Sequence, residues 1–297
     1  MTTKLSRRAM LASGAAAPLA ATFGTAAAAG GHAAVPSRSD THRTLQLGAF
    51  EVTALLAGTR AVTEDVQSIF GMNVDADRFA EVSGENFIPA DRTQFFFTPT
   101  LLKTANETIL FDTGLNGAAT ASALANAGTS TDDVTHVVIT HMHGDHIGGL
   151  MTDGAPTFAN AAYITGQVEF DATAASENEG FETNVRPLAD RMTFLEDGGS
   201  VISGVTAMAA YGHSPGHMIY MLESDGRQLL LTADTANHHV WSLGHPDWEV
   251  RFDRDKAAAA ATRRNVFGML AAERIPFLGY HMPFPAVGYV AVSYTHL

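Results

Sequence analysis

Residues 139–150 read ITHMHGDHIGGL. His141, His143, Asp145 and His146 stand close together, behind the apolar run VTHVVIT (134–140). That run reads as a buried strand. Its end at His141 puts the next residues in a loop at the strand's C-terminal edge, where open sheets place ligands. His141 and His143 alternate, so both can point to one side. Gly144 permits a sharp turn, after which Asp145 and His146 can face a second point. The stretch can thus offer two ligands to each of two metals, and Gly148–Gly149 let the chain pack closely as a helix begins. Imidazole nitrogen and carboxylate oxygen suit zinc and other divalent ions that accept imidazole. A single loop histidine is ordinarily solvated or hydrogen-bonded. Four ligand-type residues at this spacing favour a metal site.

Outward from the motif, the 297-residue chain has the makings of one globular domain, 46% hydrophobic and 16% charged. The absence of cysteine excludes disulfides, thiolate ligands and a cysteine nucleophile. A formal net charge of -13 disfavours phosphate backbones, so no nucleic-acid partner is expected. Residues 1–29 carry Arg7–Arg8, no acidic residue and an Ala-rich stretch. This is the pattern of a secretory signal, and Ser6-Arg7-Arg8 resembles the twin-arginine type. A periplasmic or secreted location is therefore expected, with residues 30–41 a flexible segment and 42–297 a single domain. No later stretch is long and apolar enough to span a membrane.

The pattern of apolar residues predicts two short strands in TLQLGAFEVTALLAGT (44–59) and an irregular segment with a short helix over 60–94. Strands follow in QFFFTPTLLKT and ETILFDTG, and a helix in AATASALANAG. Beyond the motif, AAYIT is a strand and QVEFDATAAS a helix; GVTAMAAYG, MIYMLES and RQLLLTAD are strands. RDKAAAAATRRNVFGMLAAE is an amphipathic helix and PFLGYH a strand. Strand runs with interspersed helices imply a layered α+β fold.

With these motifs assembled, HMHGDH (141–146) matches the His-x-His-x-Asp-His signature of the metallo-β-lactamase fold hydrolases. LFDTG (110–114), YGHSPGH (211–217), LLLTAD ending in Asp234 and LGYH ending in His281 extend the likeness in order and spacing. LGAFEVTALLAGT, GHSPGH and HMPFPAVGYV resemble the methyl parathion hydrolase and quorum-quenching lactonase-like group. The resemblance implies a four-layer αββα sandwich and two divalent ions, zinc being favoured. It implies that His141, His143 and His217 hold one ion, that Asp145, His146 and His281 hold the other, and that Asp234 and a hydroxide bridge them. Asp112 then accepts a hydrogen bond from a ligating imidazole. Asp145 and Asp234 are the candidates for moving a proton during catalysis. His213 matches no ligand position and reads as structural. His238, His239 and His245, near Trp241 and Trp248, read as surface or wall residues.

The implied reaction is hydrolysis of lactones, esters or phosphotriesters by metal-activated hydroxide. The lack of cysteine argues against β-lactam hydrolysis as the main role. TANHH after Asp234 lacks the tyrosine found near this aspartate in some small lactonases. The end, Ser293–Leu297, departs from the family and reads as truncated or foreign, which makes His296 a poor ligand candidate. Two alternatives stay open: an iron-dependent oxidoreductase resembling persulfide dioxygenases, and a glyoxalase-type thioester hydrolase. Phe95–Phe97 read equally as strand core or as an apolar wall over the metals. The expected partner is a small apolar ester or lactone, and the oligomeric state is open.

Overall fold

The computed structural model describes residues 41–291. The signal sequence, most of the expected flexible segment, Ser293–Leu297 and His296 lie outside them.

Two sheets carry the fold. The first has seven strands, in the spatial order His42–Leu47, Phe50–Leu55, Thr100–Lys103, Thr108–Phe111, His136–Ile139, Ala162–Gly166 and Met192–Leu195. Its first four strands pair antiparallel. The rest pair in parallel, beginning with Thr108–Phe111 against His136–Ile139. The second sheet has six strands, Ser200–Ile202, Val205–Ala209, Met218–Ser224, Arg227–Ala233, Phe277–Gly279 and Val287–Gly288. Its one parallel pair, Arg227–Ala233 with Phe277–Gly279, is joined through the helix Lys256–Glu273, as a parallel connection requires.

Side-chain alternation along each strand builds the layers. Val138 joins Val52, Ile109 and Ile164 against Ala207, Tyr220 and Leu231 of the second sheet. Val137 and Ile139 face the other way, onto Leu124 of the helix Gly117–Asn126 and onto Phe181. Val266, Phe267 and Leu270 bring the helix Lys256–Glu273 onto the core shared with the second sheet. The result is the expected helix–sheet–sheet–helix sandwich. No helix among the described residues is long and apolar enough to cross a membrane.

The expectation for residues 60–94 is corrected. Strand Gly58–Val62 pairs antiparallel with Thr93–Phe97, and the helices Val66–Phe70 and Ala76–Glu85 lie between them. The apolar positions of these helices serve a third cluster. Phe70 and Phe79 lie 5.4 and 4.8 Å, ring to ring, from the buried Trp241. QFFFTPTLLKT is also two strands, not one. Thr93–Phe97 leaves the large sheet to pair with the hairpin partner, and Thr100–Lys103 rejoins it after Pro99, which has no N–H to donate to a ladder.

Candidate metal centre

Elements of both sheets that end at one edge of the sandwich deliver ligand-type side chains. The seven-stranded sheet supplies the loop after His136–Ile139, with His141, His143, Asp145 and His146. The six-stranded sheet supplies the loop between Val205–Ala209 and Met218–Ser224, Asp234 after Arg227–Ala233, and His281 after Phe277–Gly279.

The side chains form two groups. In one, His141 Nε2 and His213 Nε2 each lie 3.0 Å from His143 Nδ1 and 3.2 Å from each other. Asp234 Oδ2 lies 3.3 Å from His213 Nε2. In the other, His281 Nε2 is 3.3 Å from Asp145 Oδ2 and 3.1 Å from Asp234 Oδ2, and His146 Nε2 is 3.2 Å from Asp234 Oδ1. Asp234 therefore stands between the groups, where a bridging carboxylate was expected. Six of the seven expected ligands are brought together, with His141, His213, Asp234, His146 and His281 all buried.

The seventh is a correction. His217 Nδ1 donates to the Ala210 carbonyl at 3.1 Å, and its Nε2 accepts from the Asp234 backbone N–H at 3.1 Å. Both ring nitrogens are thus engaged with backbone, and it is His213 that stands in the donor group with His141 and His143. The two histidines stand on either side of Ser214-Pro215-Gly216, and the turn decides which one reaches the cluster.

The outer nitrogens of His146, His281 and His213 are held too, which orients these rings. His146 Nδ1 donates to Asp112 Oδ2 at 2.8 Å. Thr140 donates to the same carboxylate from its backbone N–H and its hydroxyl, both at 2.9 Å. His281 Nδ1 donates to the Phe96 carbonyl at 2.8 Å, and His213 Nδ1 donates to Asp253 Oδ1 at 3.0 Å. Asp112 and Ala233, next to Asp234, both have left-handed backbones with φ of 60° and 42°. Such strain in residues other than glycine clusters at functional sites.

Sequence reasoning missed three supports. Buried Glu169, on the helix Gln167–Ala174, accepts from Met142 N, Ser214 Oγ and Gly216 N at 2.7–2.9 Å, tying the two histidine loops together. The Asp253–Arg263 pair lies behind His213. The Tyr280 hydroxyl donates to the Asp145 carbonyl. Each is a single polar residue in an otherwise ordinary stretch, and local periodicity carries no sign of such a contact. Of the tryptophan-loop histidines, His238 is buried and stacked on Trp241 at 3.9 Å, His239 is exposed, and His245 is stacked on Trp248 at 4.4 Å.

Charge divides the cluster. Burial, aided by repulsion from neighbouring imidazoles, holds His141 well below its ordinary value and His143 down to about 4. Burial opposes protonation of His281 too, but Asp234 and Asp145 outweigh it and raise the ring to about 9. His146 is likewise raised against burial by Asp234, Asp112 and Asp145. His141 and His143 thus offer neutral imidazole lone pairs to the first group, and the second is a set of carboxylates that draw positive charge. Buried His146 Nε2 and Asp234 Oδ1 have no hydrogen-bond partner. Cations satisfy both conditions, and a nitrogen-rich donor set with carboxylate oxygens suits zinc-like divalent ions.

Beside the cluster lies a cleft of about 370 Å³. Phe95, Phe97, Leu115 and Phe252 give it apolar walls, Arg60 and Asn237 add polar groups, and His143, Asp145, Asp234 and His281 line its base. Phe95 and Phe97 are therefore both core and wall, while Phe96 points to the opposite face of the hairpin.

Residues 98–276 match the model of the Metallo-beta-lactamase superfamily. An N-acyl homoserine lactonase from Bacillus thuringiensis is 31% identical over 114 residues, 38% of this chain and 43% of the relative. The Lactamase-like protein nscB from Aspergillus fumigatus is 28% identical over 150 residues, 50% of this chain and 39% of the relative. The chain thus matches less than half the length of either. Among solved structures, AidC, a dizinc quorum-quenching lactonase in complex with a product, is similar with a TM-score of 0.78 at 23% identity, over 86% of this chain and 95% of that one. The hydrolase AbOPH of the beta lactamase superfamily follows with a TM-score of 0.75 at 22% identity, over 86% and 94%. At these identities the structural likeness speaks for the fold.

Proposed function

The chain belongs to the metallo-beta-lactamase superfamily, and from that membership and the geometry of its cluster we propose that it is a dinuclear metal-dependent hydrolase of lactones and other apolar esters. The observation that carries the reading is a filled donor set at the base of an apolar cleft. His141, His143 and His213 would hold one ion, Asp145, His146 and His281 the other, and Asp234 would be shared. Two divalent ions so held lower the pKa of water towards neutrality and polarise a carbonyl or phosphoryl oxygen. The chain's own residues orient the substrate and manage protons. Phe95, Phe97, Leu115 and Phe252 receive an alkyl or aryl group, whose burial is favourable by about 1–3 kcal/mol. The Asp145 carboxylate, half-buried at the cleft, is placed to accept a proton. Asn237 Nδ2 donates to Asp234 Oδ2 at 2.9 Å and keeps that carboxylate oriented.

Zinc is the proposed ion, and lactones are placed ahead of aryl esters and phosphotriesters. The relative named as an N-acyl homoserine lactonase supports this order. Export by the twin-arginine route is proposed on Arg7–Arg8; replacing both with lysine should leave precursor in the cytoplasm, and unchanged export would refute it. The test of function combines elemental analysis with a panel of lactones of rising acyl length, aryl esters, phosphotriesters and glutathione thioesters. Two equivalents of metal are expected, with catalytic efficiency rising with acyl length. A single iron with oxygen uptake and no hydrolysis would sink the proposal.

A further inference from the structure

Behind the cluster lies an ion pair that the hydrolytic reading does not use. Arg263, in the middle of the helix Lys256–Glu273, is only 1% exposed. It donates to Asp253 Oδ2 at 2.7 Å, to the Pro246 carbonyl at 2.8 Å and to the Trp248 carbonyl at 3.1 Å. The second oxygen of Asp253 accepts from His213 Nδ1 at 3.0 Å. The backbone runs alongside: Arg254 N donates to the His213 carbonyl and Asp255 N to the Gly212 carbonyl, both at 2.9 Å. Asp255 then caps the helix by accepting from Ala258 N at 3.0 Å. Gly212, at φ +125°, lies so close to the helix start that a Cβ there would meet Ala259 N at 2.2 Å. The start of one helix and the residues that lead into it therefore grip Gly212–His213 by backbone, side chain and close packing.

We propose that Asp253, fixed by Arg263, is the positioning residue for the ion held by His141, His143 and His213, so that the two metal sites depend on separate outer carboxylates. The proposal rests on the dinuclear reading of the cluster. Asp253 holds the proton on His213 Nδ1 and leaves the Nε2 lone pair directed at His141, His143 and Asp234. Asp112 does the same for His146 in the other group. Arg263 keeps Asp253 from turning away, since both oxygens of that carboxylate are committed. A carboxylate behind a ligating imidazole fixes its orientation and raises its basicity, and its loss costs roughly 10–100-fold in metal affinity.

The experiment is a zinc titration of chelator-stripped protein in competition with a chromophoric chelator, repeated with cobalt(II) to follow each site by its visible spectrum. Wild type, Asp253→Asn and Asp112→Asn are compared, with circular dichroism as the check of folding. The expected result is roughly 10–100-fold weaker binding of one ion in Asp253→Asn, the second ion being unaffected. Asp112→Asn should weaken the other ion, as told by the cobalt spectra. Asp253→Asn leaves Arg263 buried and unpaired, which can itself unfold the protein. The double variant Asp253→Asn/Arg263→Met removes the stranded charge. If the double variant folds and one ion stays weak, the positioning role stands. If it, or Asp253→Asn, binds both ions like wild type or weakens both equally, the pair merely supports the fold and the proposal is overturned. Failure of wild type to bind two ions would instead remove the dinuclear reading on which it rests.

Discussion

His213 and His217 sit in one heptapeptide, YGHSPGH, and only one reaches the cluster. His213 has its Nε2 among the imidazoles of His141 and His143; His217 spans two backbone groups. His213→Ala should therefore lose about one equivalent of metal and most activity. His217→Ala should keep its metal but leave the buried Ala210 carbonyl and Asp234 N–H unpaired, at a cost of about 1–3 kcal/mol. Elemental analysis beside thermal melts separates the two, and metal loss equal in both variants would reverse the assignment. The contrast also marks how far a sequence can be read. His141, His143, Asp145 and His146 were legible because they share one turn whose spacing itself limits where they point. The choice between His213 and His217 was not, because it is made by the path of the chain through Pro215 and Gly216 and by the helix that packs on it.

At the scale of elements, strands and long helices were legible from alternation and amphipathic period, and the segment 58–97 was not. Val66–Phe70 is only a short helix, Ala76–Glu85 carries Gly84 near its end, and both are held in place because Phe70 and Phe79 find Trp241 and Trp248 far along the chain. The loop bearing those tryptophans also holds His238, whose Nδ1 accepts from Val240 N and Trp241 N at 3.2 Å. Burial first, and then the charge of His239, hold its pKa well below the ordinary value. The unfolded chain therefore takes up this proton first as pH falls below about 6.5. The associated stability is present above that pH and is lost as pH falls towards the folded value. His238→Gln should flatten the fall in stability between pH 7 and 5.5 by up to about 1.4 kcal/mol per pH unit. Urea melts at the two values measure it, and an unchanged slope would show that this ring does not titrate in the acid limb. A second element-scale prediction concerns the tie through Glu169. A Cβ on Gly216 would meet Glu169 N at 2.1 Å. Gly216→Ala should push the loop off that helix, lowering stability by about 1–3 kcal/mol and weakening metal binding. Gly268→Ala, mid-helix with open space around it, is the control and should be neutral or slightly stabilising. Equal behaviour of the two would contradict the packing argument.

At the scale of the whole molecule, the cluster joins the two sheets. His141, His143, Asp145 and His146 come from the edge of the seven-stranded sheet, and His213, Asp234 and His281 from the six-stranded one. Between the sheets the contacts are apolar and non-directional, through Val52, Val138 and Ile164 against Tyr220, Leu222 and Leu231. At this edge they give way to polar groups, and carboxylates and lone pairs face one another across the join. Metal bound there would link the sheets through donors from both. Binding to the folded state stabilises by RT ln(1 + [L]/Kd), about 4 kcal/mol at a thousandfold excess over Kd. A domain of this size moves by roughly 2–4 °C per kcal/mol. Stripping the protein with a chelator should then lower Tm on the order of 10 °C, and restoring zinc should return it. His281→Ala should show a smaller shift, because one of the three contributions from the six-stranded sheet is gone. Calorimetry with and without chelator reads both. A wild-type Tm that stays put while elemental analysis confirms removal would mean that the apolar interface alone sets how the sheets are joined, and that the cluster serves chemistry without holding the fold.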